Sequence, residues 1–212
     1  MHAAQERRER PSPVPQPHPL AFHEGTLWIG SWENHRLYGI DPQTWTIREE
    51  HESPGKPFGI APLGDELRVV ISLDDDDRYL FPFRPGRGFD VGGKRACPDL
   101  TGSYLASQGG RLYLGQMTNR RILVLANDAS VEREIALPTR CAGLGFGPGG
   151  FHMISGDQEL EHLVFGTLDA SQAAPSFQPL APLPDEARSL AHDGSRWWTC
   201  LRDRNEMLSF IV

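Results

Sequence analysis

Residues 104–125 read YLASQGGRLYLGQMTNRRILVL. A short apolar run ends at the small residue Ala106, and Gly109-Gly110 follow as a turn. The alternating stretch Leu112/Leu114 comes next, then a polar loop and a second apolar run, Arg121–Leu125. Paired glycines accept the positive φ of a tight hairpin, and alternation with a period of two marks a strand whose faces are unequally packed. The unit recurs along the whole chain. A small residue is followed six positions later by a large apolar one in Ala21–Leu27, Ala61–Leu67, Ala106–Leu112, Gly145–Phe151 and Ala191–Trp197. The small anchors stand 40, 45, 39 and 46 residues apart. Repetition at about 40–45 residues is the mark of a four-stranded propeller blade.

The spacing therefore predicts an all-β, five-bladed β-propeller of four-stranded antiparallel blades. Third strands are expected at Arg36–Asp41, Arg78–Phe83, Arg121–Leu125, Glu161–Gly166 and Met207–Val212. Fourth strands are expected at Trp45–Glu50, Val131–Leu137 and Phe177–Leu183, with that of the second blade somewhere in Phe89–Arg95. The fifth unit ends on its third strand. Its outer strand is expected from Ser12–Pro17, where prolines are tolerable because an outer edge can lack ladder donors. This gives a flexible tail over 1–10 and one domain over 11–212. The blades run roughly 19–54, 55–98, 99–138, 139–184 and 185–212 plus 11–18. The small anchors suit innermost strands, where converging sheets leave no room for bulk.

Composition excludes several partners. The 212 residues carry a formal charge of −7, with 22 Gly and 18 Pro, a balance that suits many short strands joined by turns. The acidic excess opposes a nucleic-acid surface, which needs a basic stripe. No stretch approaches 18 apolar residues, so no membrane span is expected. Residues 1–10 carry no apolar core of a secretion signal. Cys97, Cys141 and Cys200 are widely spaced with no CxxC and read as reduced thiols. A cytoplasmic monomer is the expectation.

The units Gly25-Thr-Leu-Trp-Ile-Gly with Asn34-His-Arg-Leu-Tyr-Gly-Ile-Asp41, and Gly110-Arg-Leu-Tyr-Leu-Gly with Asn119-Arg-Arg-Ile-Leu-Val-Leu125, resemble NHL-type and gluconolactonase-like (regucalcin-type) propeller repeats. In the catalytic members of that group, Glu, Asn and Asp ligands three residues before the small anchors hold a divalent metal over the channel. Here those places are His18, Phe58, Ser103, Ala142 and Arg188. None is a carboxylate, so neither a metal nor another cofactor is expected. Those enzymes usually have six blades, and this chain has room for five.

The ligand-binding end of such a ring would gather Trp32, Glu33, Asn34, Phe58, Asn119, Asp157, Arg188 and Arg202, with Lys56, Arg140 and Met117 nearby. Aromatic, basic and amide groups together suit a polar or anionic small molecule or a peptide, and Arg188 with Arg202 could fork a carboxylate or phosphate. Candidate catalytic residues are His18 as general base, Ser103, Cys141 and Arg188. His152 and His162 fall on strands expected to be neighbours. The run Asp74–Asp77 lacks the offsets of a Ca²⁺ loop and reads as solvated. Three functions remain open: a ligand-binding propeller, a lactonase-like hydrolase or lyase with an atypical site, and a protein-interaction platform.

Overall fold

The computed structural model describes residues 5–73, 76–171 and 174–212. Strand β1 (Gln5–Pro11) precedes the first blade, which comprises β2 (Pro17–His23), β3 (Thr26–Ser31), β4 (Arg36–Ile40) and β5 (Ile47–Glu52). The second blade holds β6 (Lys56–Leu63), β7 (Glu66–Ser72), β8 (Arg78–Arg84) and two short pieces, β9 (Gly88–Phe89) and β10 (Arg95–Ala96), that both pair with β8. The third runs through β11 (Tyr104–Gln108), β12 (Arg111–Gln116), β13 (Arg121–Leu125) and β14 (Val131–Ala136). In the fourth come β15 (Arg140–Gly147), β16 (Gly150–Gly156), β17 (Val164–Asp169) and β18 (Ser176–Pro182), and in the fifth β19 (Ala187–His192), β20 (Trp197–Leu201) and β21 (Glu206–Ile211). Each sheet is antiparallel, and β1 completes the fifth by pairing with β21. The protein is a five-bladed β-propeller closed by its N-terminal strand. Among the described residues no helix is long and apolar enough to cross a membrane.

The core is five seams, one between each pair of neighbouring blades, and alternation along the second strands builds them. Leu27 and Ile29 pack toward the fifth blade, whereas Trp28 between them packs toward the second. Leu112 and Leu114 likewise face the second blade while Tyr113 faces the fourth. The large residue of every repeat thus inserts against the preceding blade, and each such side chain, fully buried, contributes about 1.5–3 kcal/mol. The small anchors make room for it. A Cβ added to Gly145 would stand 3.0 Å from Cζ3 of Trp197, the large residue of the next unit. The three thiols lie buried in three different seams, Cys97 between blades two and three, Cys141 between three and four, and Cys200 between five and one.

Several boundaries differ from the sequence reading. The closing strand is Gln5–Pro11, so residues 5–10 of the expected flexible tail form a strand and Ser12–Pro17 becomes mainly the connection into β2; residues 1–4 lie outside the described residues. The reason for the shift is main-chain pairing, since residues 5–10 all keep an N–H for β21 whereas Pro13, Pro15 and Pro17 have none. Alternating Glu6, Arg8 and Arg10 suit an exposed edge that pairs with Arg196 and Arg204, while Val14 is drawn into the seam between blades five and one. The third strand of blade four begins at Val164 instead of Glu161, because Asp157 accepts the backbone N–H groups of Glu159 and Glu161 and folds that stretch into a loop. His162 is therefore exposed in that loop, near Asp157, and does not approach His152. His152 instead stacks on Phe165 and packs against Trp197. Asp74 and Asp75 lie outside the described residues. Beyond them, Asp76 accepts a hydrogen bond from Ser72 Oγ at 3.4 Å.

Candidate functional site

The first strand of each blade runs inward along the channel, and its opening residues ring one end. His18 on β2 sits at the centre of that end, 2% exposed. Its ring packs against Trp32 at 4.7 Å, Tyr104 at 5.7 Å and Phe58 at 6.1 Å between centroids. Trp32 is fixed by its own indole N–H, which donates to the Pro57 carbonyl at 2.5 Å. Together these four rings form an aromatic floor.

Cations cover it. The Arg78 guanidinium lies 3.7 Å over Phe58, Arg202 lies 4.3 Å over Trp32, and the Lys56 ammonium stands 5.3 Å from Trp32. Such cation–π contacts hold a charge over a ring without neutralising it. Burial first, then the charges of Arg202, Arg188 and Arg78, keeps His18 well below the usual histidine range. It is therefore neutral at pH 7, and its Nδ1 is buried without a hydrogen-bonding partner. Burial likewise pushes the Tyr104 phenol upward, which keeps that ring neutral.

These cations have few carboxylates. Arg202 pairs with Asp203 at 2.9 Å. Among the described residues Arg188 donates only to main-chain carbonyls, those of Asp185 and Ala187, both at 2.8 Å. Arg78 donates to the Gly102 carbonyl at 2.5 Å and to Ser103 Oγ at 3.3 Å, and no carboxylate comes within ion-pair distance of it among the described residues. Burial lowers its pKa from the usual arginine value, against an opposing pull from the Asp76 carboxylate, the signature of a cation short of solvation.

Of the residues singled out in the sequence, the structure brings together His18, Trp32, Phe58, Ser103, Arg188 and Arg202, with Lys56. Others stand apart from this cluster. Asn34 donates to the Tyr38 hydroxyl at 3.1 Å, and Asn119 to Gln116 Oε1 at 3.1 Å, each a link within its own blade. Asp157 spends its carboxylate within its own exposed loop, and Glu33 is exposed on the rim. Cys141 is fully buried, its thiol pushed up to about 12 by burial and donating to the Gly143 carbonyl. That is a packed core thiol, and a nucleophile would need the reverse shift.

Two residues the sequence reading left out of the site are Tyr104 and Arg78. A signal for Arg78 exists. Arg36 and Arg121 hold the same place at the start of third strands and are satisfied by Glu50 and Glu134 of the fourth. The second blade's fourth strand is only Arg95–Ala96 and offers no such acid, so Arg78 turns to the channel.

Beside this end, between blades one and two, lies a polar cavity of about 560 Å³ whose walls include Asn34, Glu52, Ser53, Lys56 and Ser72. The channel itself is narrow, about 80 Å³, and lined by the small anchors with Leu20, Ile60, Leu105, Leu144 and Leu190.

The state of His18 gives a measurable expectation. Its folded pKa is depressed, so below the unfolded value of about 6.5 the unfolded chain binds the extra proton and stability falls with falling pH. The slope from this residue is about 1.4 kcal/mol per pH unit until its folded pKa is reached. Urea midpoints between pH 7 and pH 5.5 will show the loss, and His18→Gln will reduce it, leaving the share of His152 and His192, whose pKa values burial also lowers.

No protein-family model and no curated protein sequence matches this chain. Among solved structures, glutaminyl cyclase from Myxococcus xanthus aligns over 96% of this chain and 93% of its own, at 13% identity and a TM-score of 0.70. A structural-genomics protein of unknown function from Bacteroides thetaiotaomicron aligns over 91% of this chain at 15% identity and a TM-score of 0.67, and this chain spans 58% of its length. A streptogramin B lyase aligns over 100% of this chain and 89% of its own at 12% identity, with a TM-score of 0.57. These are propeller-type proteins, and likeness at such identities is likeness of fold. The chain is a β-propeller whose one channel end is an aromatic floor under arginines.

Proposed function

We infer that this end of the channel binds a small organic anion, a carboxylate or its equivalent. The observation that carries this reading is the convergence of the Arg78, Arg188 and Arg202 charges on one buried aromatic floor, where among the described residues only Arg202 has a carboxylate in contact. A bound carboxylate would supply the counter-charge, its planar oxygens matching a guanidinium fork, while its apolar body would lie on Trp32 and Phe58. The neutral Nδ1 of His18 would accept a hydrogen bond from a donor beside that carboxylate.

Thermal shift and calorimetry with a panel of carboxylates at fixed ionic strength test this. A charge-assisted contact of about 1.5–3 kcal/mol makes Arg188→Ala cost roughly 10- to 100-fold in affinity. A panel in which no anion raises the melting temperature over chloride overturns the reading.

The state of His18 also favours a second reading, a lyase or hydrolase in which the unpartnered Nδ1 of this neutral ring takes a proton from the bound substrate or its attacking water. Turnover abolished in His18→Gln with binding retained would distinguish it from binding alone. No turnover of any bound compound would eliminate it.

A further inference from the structure

We propose a second anion site, for a compact oxyanion such as a phosphoryl group, set between Arg8, Arg10 and Arg196 at the seam where the ring closes. The register builds one wall of it. Arg8 on β1 stands opposite Ser209 on β21, and Ser209 stands opposite Trp198 on β20, one row across the face of blade five. Blade one supplies the other wall through Phe22, Pro42 and Gln43, and the cavity between them measures about 290 Å³. Arg10 enters from the same strand as Arg8, its guanidinium 4.5 Å from Trp45 and 5.7 Å from Trp198, whose rings stack at 5.7 Å.

The charges here do not balance. One carboxylate, Glu6, serves two guanidiniums, at 3.0 Å from Arg196 and 3.7 Å from Arg8. Asp193 also borders the cavity, but its oxygens are taken by Ser195, the Arg196 backbone N–H and the Trp198 indole. Arg10 has no carboxylate within ion-pair distance among the described residues, and Nε of Arg196 is buried without a partner. Three guanidiniums approaching from one strand and a turn fit a tetrahedral group with several acceptor oxygens better than a planar carboxylate with two. Trp198 is 3% exposed and Trp45 already carries Arg10 and the Trp198 ring, which disfavours stacking of a base. The recognised part is the phosphoryl group itself.

Because Arg8 and Arg10 lie on β1 and Arg196 on the turn between β19 and β20, an oxyanion joining them ties the closing strand to the blade. Binding and closure are then linked, since a ligand held only by the closed ring shifts the equilibrium toward it.

The test titrates inorganic phosphate, pyrophosphate and glycerol phosphate against chloride at constant ionic strength, reading melting temperature and hydrogen exchange over residues 5–11. The expected result is a higher melting temperature and slower exchange of that strand. Both effects should weaken at least tenfold in apparent affinity in Arg10→Gln and in the more exposed Arg8→Gln, and persist in Arg188→Ala. Inorganic phosphate outperforming glycerol phosphate assigns a free ion, and the reverse order assigns a carried group. No effect over chloride, or an effect that survives both seam variants or is lost in Arg188→Ala, overturns the proposal. Carboxylate binding at the channel end should be unchanged in Arg10→Gln, so the two sites fail separately.

Discussion

Replacing Phe165 by alanine will lower the free energy of unfolding by about 3–5 kcal/mol, the usual cost of emptying a buried aromatic position. Phe165 is fully buried in the seam between blades four and five. Its ring stacks on His152 at 5.1 Å and 10°, meets Trp197 at 5.1 Å, and stands edge-on to Phe210 at 5.2 Å. Two of those partners belong to the fifth blade, so the vacated volume lies between two sheets that cannot slide together without disturbing the ring. For a chain of this size each kcal/mol lowers the melting temperature by about 2–4 °C. Calorimetry should therefore show a drop of roughly 6–20 °C, with near-UV circular dichroism losing the signal of the coupled Trp197. Phe165→Leu, which keeps most of the volume, should cost under about 1.5 kcal/mol. Equal losses in the two variants would mean that the seam repacks freely.

Removing residues 1–11 should have an effect of similar size for a different reason. Strand β1 contributes almost no buried apolar surface, and its worth lies in main-chain hydrogen bonds to β21, each about 0.5–1.5 kcal/mol. The pairs Glu6–Arg196 and Glu9–Arg204 add little, since exposed ion pairs give about 0–1 kcal/mol each. Without β1, the edge of β21 is uncovered next to buried Met207, Leu208 and Phe210. An uncovered edge of that kind recruits another strand. The truncated chain should melt earlier and show concentration-dependent self-association by light scattering, while Glu9→Lys in the full chain should shift melting only slightly. A truncated chain that stays monomeric with an unchanged transition would show that closure contributes nothing.

The sequence discloses the blades because their geometry is local. Ala106 and Leu112 sit six residues apart since one tight turn joins their strands, and that constraint repeats wherever a blade does. What depends on partners distant in sequence is harder to read. The closing strand was expected at Ser12–Pro17 from proline placement, but Gln5–Pro11 pairs instead because its residues 5–10 keep the main-chain N–H groups that meet β21, about 200 positions away. At the candidate site, the places three before each small anchor pick out His18, Phe58, Ser103 and Arg188, which the structure sets at one end of the channel. Arg78 was missed because its role follows from what a neighbouring strand lacks. Asp157 was gathered to the rim by its position after a second strand, yet its loop satisfies it internally.

The three buried cysteines turn the seams into separate clocks. Cys97 and Cys141 have thiols raised to about 12 and Cys200 is raised as well, burial being the main cause in each. Alkylating reagents at neutral pH can reach any of them only when the blades beside it part. The labelling rate of each sulfur, resolved by peptide mass, thus times the breathing of blades two from three, three from four, and five from one. If the ring gives way first at its closure, Cys200 will be modified well before the other two.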